Sequence, residues 1–129
     1  MNRESGFTVI EVLIAVAFLI GAGTLFFIQN RNLEASYRDN ERKTAINAMY
    51  YNLEEVYYAK NQSYPKAISS VNLPAMDPAL LKDPQGVAVG DQSSNYRYEP
   101  SGCDGNVCKS YILRADLERE SDYIKNSAH

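Results

Sequence analysis

The sequence has a single histidine, His129, and only two cysteines, Cys103 and Cys108. A structural zinc site uses four such ligands, so zinc has too few residues to bind. The cysteines are separated by four residues where a redox pair would have two, which argues against thiol chemistry. No histidine lies in the body of the chain, and there is no Gly-x-Ser-x-Gly and no phosphate-cradling glycine loop. The usual catalytic constellations therefore have nothing to build on, and the chain reads as a non-enzyme without a cofactor. Positive charge is also scarce: 13 Lys and Arg stand against 16 Asp and Glu, a net charge of -3. With no basic cluster to meet phosphates, direct nucleic-acid binding is not favoured.

Helix breakers are missing from the first half. No proline precedes Pro65, and no glycine lies between Gly23 and Gly86. Nothing local stops a helix before about residue 60. At 129 residues and 14.5 kDa the chain holds one domain at most, which excludes both a disulfide miniprotein and a large multidomain enzyme. Its mean hydropathy of -0.38 hides a partition. All four phenylalanines lie at or before Phe27 and all ten tyrosines at or after Tyr37. One chain is written for two solvents.

From Phe7 to Ile28 the sequence reads FTVIEVLIAVAFLIGAGTLFFI, with 17 apolar residues among 22 and Glu11 as the sole charge. As a helix it measures about 33 Å, the thickness of a bilayer core. A transmembrane helix is expected. The alternative, the apolar region of a cleaved signal peptide, is usually shorter and ends at small residues, whereas this run leads into Gln29-Asn30-Arg31. Glu11 is the anomaly, since a carboxylate inside a membrane helix costs about 2.5 to 3.5 kcal/mol. No Lys, Arg or His follows within two turns, so a side-chain partner from the same chain is not expected. Two readings stand: a glutamate protonated near the interface, or one paired with an α-amino group on Phe7 that cleavage after Gly6 would create.

Gly6-Phe7-Thr8-Val9-Ile10-Glu11, at the front of an uninterrupted apolar helix, resembles the class III leader of type IV pilins and of type II secretion pseudopilins. The resemblance implies that a prepilin peptidase cuts between Gly6 and Phe7 and methylates the new Phe7 amine. It also implies that Glu11 registers subunits by pairing with the Phe7 amine of a neighbour. The partners so implied are further copies of the chain in a helical homopolymer, the peptidase, a pilus or secretion assembly platform, and the inner membrane that holds the precursor. The leader would face the cytoplasm and the head the outside, before export into a filament on the cell surface. Arg3 is offset by Glu4, so orientation rests on the motif more than on charge. Many type IV pilins carry a proline in this helix and loosen it during assembly. Here Gly21 and Gly23 are the candidates for local melting, each costing about 1 kcal/mol against alanine, although small residues also serve close helix packing.

The expected organisation is a leader at 1–6, a membrane or filament-core helix at 7–28, an amphipathic continuation at 29–60 and a head at 61–129. In the continuation, Ile46, Met49, Leu53 and Val56 fall on one apolar stripe, widened by Ala45, Ala48 and Tyr57. Glu34 with Arg38 and Asp39 with Lys43 have i,i+4 spacing and read as ordinary surface pairs. Residues 61–95 hold Pro65, Pro74, Pro78 and Pro84 and read as loops. Asn95 to Glu99 and Lys109 to Leu117 read as strands around Cys103-Asp104-Gly105-Asn106-Val107-Cys108, a turn that Cys103 and Cys108 can tie at its base. A disulfide suits a head outside the cytoplasm and is worth about 2 kcal/mol for so short a loop.

The fold class is thus α+β, a long N-terminal helix packed on a small antiparallel sheet. Some pseudopilins bind calcium in their heads, and Asp77, Asp83, Asp91 and Asp104 sit in the loops here. Without an EF-hand pattern, calcium stays an alternative with no ligand set assigned. The leading function is a type IV pilus subunit serving adhesion or motility. A type II secretion pseudopilin comes second, favoured by the missing proline as the disulfide favours the first. A single-pass membrane-anchored binding protein is the reading from another class.

Overall fold

The computed structural model describes residues 6–129. Met1 to Ser5, most of the expected leader, lie outside the described residues. The chain divides into two compact units, the first ending at Glu34 and the second spanning Ala35–His129.

Helix α1 runs Val9–Tyr51 without a break, as the lack of proline led us to expect. It begins two residues after Phe7. Thr8 supplies the start, because its carbonyl accepts from the Glu11 and Val12 amides at 3.0 and 3.2 Å. From Val9 to Leu33 the large apolar side chains stand exposed, Phe26 at 75% among them. The helix is long and apolar enough to cross a membrane. Near the end of this run Arg31 lays its guanidinium 4.8 Å from the centre of the Phe27 ring, an arrangement that keeps both the charge and the ring in favourable contact.

In the second unit α1 buries Ala45, Ile46 and Met49, and Leu53 follows them into the core. The helix then widens into a π-helical segment, Asn52–Tyr58, before closing with a short turn, α2, Ala59–Asn61. Gln62, at φ 53°, reverses the chain. The π-helical segment corrects the expected stripe. Its i→i+5 bonding inserts one residue into the helical phase, so Glu54 turns inward while Val56 is left 40% exposed. Tyr57 and Tyr58 pack partly against the core instead.

Two antiparallel sheets complete the unit. Strand β1, Tyr64–Pro65, pairs with β3, Val107–Cys108. Strands β2 (Tyr96–Ser101), β4 (Ser110–Ala115) and β5 (Tyr123–Asn126) form a sheet in the order β2-β4-β5. Tyr98 lies opposite Leu113, and Leu113 opposite Lys125. Tyr111, Leu113 and Ala115 of β4 point into the core with Tyr96, the two-residue period read from the sequence. The connecting stretch contributes Ile68, Leu73, Met76 and Leu81, the last from a 3-10 turn at Pro78–Leu81 capped by Asp77. Each fully buried aliphatic side chain stabilises by about 1.5 to 3 kcal/mol. The result is the expected α+β layout.

Candidate functional site

The N-terminal motif sits at the helix start. Phe7 is 84% exposed. The Thr8 amide and hydroxyl both donate to Glu11 Oε2, at 2.9 and 3.0 Å. The Glu11 carboxylate thus satisfies an amide at the start of α1, half of a capping box. Sequence reasoning looked for a cation near Glu11 and overlooked this neutral donor three residues back. It leaves Oε1 without a partner among the described residues. Phe7 lies four residues before this carboxylate in sequence.

Gly21 and Gly23 lie within unbroken helix, with open space where a Cβ would stand. The Thr24 hydroxyl donates to the carbonyls of Ile20 and Gly21 at 2.8 and 2.9 Å. It thereby meets the polarity of this stretch inside an apolar surface. A shallow apolar notch forms along Ala17, Phe18, Gly21, Ala22 and Leu25, of the kind small residues open for a neighbouring helix.

Cys103 and Cys108 form the expected disulfide. Gly102 and Gly105 both take φ of +61°, and a Cβ on Gly102 would lie 3.1 Å from that of Lys109. Only glycine turns the chain there without strain. Cys108 is buried and belongs to β3, so the bridge ties the loop to β1 as well as closing it. Outside the bracket the Ser101 and Ser110 hydroxyls bond to each other at 2.6 Å.

Of the loop aspartates, Asp77 accepts from the Ala79 amide and Asp91 from that of Ser93. Asp83 is buried and accepts from the amides of Gln85, Val87 and Asn95, each at 2.9 Å. Burial would raise its pKa, but these amides hold its carboxyl below the usual range. Among the described residues no three His, Cys, Asp or Glu side chains gather as a metal would require.

Two buried clusters escaped the sequence reading. Asp39, 3% exposed, accepts from Arg42 Nη1 at 2.8 Å and from the amides of Glu118 and Arg119 at 2.8 and 3.0 Å. Arg38 grips Glu118 through two bonds of 2.8 and 2.7 Å, Arg42 adds a third at 2.9 Å, and Lys43 meets Glu120 at 2.8 Å. The expected i,i+4 surface pairs are therefore corrected. The helix spends these charges on the segment after β4, which lies too far away in sequence for spacing to reveal. Burial opposes ionisation of Asp39, yet the two amides and Arg42 lower its pKa overall. The bonds from Arg38 bring that of Glu118 down to about 2.

The second cluster centres on Glu54. Its carboxylate accepts from the hydroxyls of Tyr111 at 2.6 Å and Tyr64 at 2.9 Å, and from the Ala128 amide at 3.2 Å. Burial, and then the bond to Glu54, raise the pKa of both tyrosines. Glu54 lies next to the apolar stripe in sequence, and only the change of helical phase brings it inward.

No protein-family profile, curated protein or solved structure matches the chain.

Proposed function

We propose that this chain is a type IV pilin, held in the cytoplasmic membrane as a precursor and built into a surface filament after cleavage between Gly6 and Phe7. The observation that carries the reading is Gly6-Phe7-Thr8-Val9-Ile10-Glu11 at the head of a helix whose apolar side chains have no cover. Such a helix exchanges lipid contacts for contacts with copies of itself at little loss of apolar burial. Glu11, oriented by Thr8 with one oxygen left over among the described residues, suits the role of pairing with a neighbour's N-methylated Phe7. A type II secretion pseudopilin is the second reading, favoured by a helix that runs Val9–Tyr51 with no proline in it.

Intact-mass and N-terminal peptide measurement of the exported protein tests the proposal. A mature chain beginning at N-methylated Phe7 is expected, and retention of residues 1–6 would refute it and leave the membrane-anchored binding protein. Glu11→Ala should insert into the membrane as the parent does but yield filaments at well under a tenth of its level. Normal filament yield would remove the role given to Glu11.

A further inference from the structure

Glu54 is more than a fold-stabilising carboxylate, because one edge of it opens to the surface. A groove of about 490 Å³ lies over it in the second unit, with Tyr50, Tyr51 and Tyr58 along its walls and Glu55 at the rim. Glu54 is 8% exposed, and its charge faces no Lys or Arg within ion-pair distance among the described residues. The two phenols and the amide that it accepts from are neutral donors. A titratable nitrogen, His129 Nε2, lies 4.0 Å from the carboxylate, and its ring stacks on Tyr58 with centres 4.3 Å apart. Glu55 is in no ion pair among the described residues. The hydrogen bonds of Glu54 are thus met by neutral donors, while its charge has no Lys or Arg beside it among the described residues to balance it. Aromatic faces beside it add the attraction of their ring quadrupoles for positive charge.

The same wall already shows this preference. Lys125, which does not line the groove, places its ammonium 5.4 Å from the centre of the Tyr50 ring. Tyr51, by contrast, is 62% exposed and carries no such cation among the described residues.

We propose that this groove is a binding site for an alkylammonium group, with Glu54 and Glu55 supplying the negative charge and Tyr51 an aromatic face. What the site recognises is the monovalent positive charge, which a quaternary headgroup presents through methyl groups and a lysine side chain through N–H donors. The site belongs to the second unit and does not depend on filament assembly.

The test is amide NMR on the full chain in maltoside micelles, which carry no ammonium, titrated with choline and separately with Nα-acetyl-lysine methylamide. Saturable shifts at residues 51–58 are expected for at least one of them, with a Kd on the order of 1 mM that weakens as salt is raised. Saturation by choline alone assigns a quaternary headgroup, and saturation by the lysine derivative alone assigns a protein side chain. Glu55→Gln and Tyr51→Leu, both at exposed positions, should each weaken binding about threefold, and Glu54→Gln further still. Should Glu54→Gln fail to fold, the other two variants decide. Three outcomes would overturn the proposal: no saturable shift with either cation, unchanged affinity in both surface variants, or equal shifts from 3,3-dimethylbutan-1-ol, the uncharged counterpart of choline.

Discussion

In the unit that ends at Glu34, Leu13, Phe18, Leu25 and Phe26 stand in the open, whereas in Ala35–His129 the buried side chains include Asp39, Arg42, Glu54 and Asp83. The first unit inverts the ordinary distribution, whereas the second keeps an apolar core and sets a few charges inside it. The first has no polar interior to protect, since its helix satisfies its own backbone and its side chains suit an apolar surrounding. The second can bury charge because hydrogen-bond donors meet each of the buried carboxylates Asp39, Glu54 and Asp83. Exposed hydrophobes therefore signal an environment, while buried charges signal a set of long-range contacts.

The largest effect that separates the units should come from matched truncations. Leu53→Ala removes a fully buried side chain and should destabilise the second unit by about 3 kcal/mol. Leu19→Ala should leave its unfolding unchanged within about 0.5 kcal/mol. Denaturant unfolding followed by tyrosine fluorescence reads both, because all ten tyrosines lie beyond Glu34. A large effect of Leu19→Ala on that signal would break the division.

Next in size is Asp39→Asn, which weakens the bonds from Arg42 and two amides and should cost about 2 kcal/mol at pH 7. Its pH dependence sharpens the point. Asp39 and Glu118 titrate lower in the fold than in the unfolded chain, Glu118 at about 2 against an ordinary 4.5. The unfolded state therefore binds more protons as acid is added. The stabilisation is complete above about pH 4.5 and drains away toward pH 2. Unfolding midpoints measured across that window should fall steeply in the parent and less steeply in Asp39→Asn. Smallest is the paired change Cys103→Ser and Cys108→Ser, expected to cost about 2 kcal/mol or less. Hydrogen exchange should locate the loss at β1 and β3.

Features with a strong local signature were already visible in the sequence. The apolar run, the strand period of Tyr111, Leu113 and Ala115, and the disulfide bracket are all local patterns. Strand β5 was missed because Tyr123–Asn126 is short and follows a charged stretch with no turn signature. Asp39 was misread because Lys43 lay at helical spacing, while its partners are Arg42, three residues on, and two amides 79 and 80 residues away. Val56 was placed inside because α-helical phase was assumed throughout. Glu54 took its place through a change of phase that no residue at 52–58 announces.

The Glu54 cluster also sets an order in time. Its donors lie 10, 57 and 74 residues further along the chain, at Tyr64, Tyr111 and Ala128. During synthesis the carboxylate must remain hydrated until most of the second unit has emerged. A helix that docks before then would trap it half satisfied. The last of these contacts to form closes the first residue to need it, which couples completion of the second unit's fold to the emergence of Ala128.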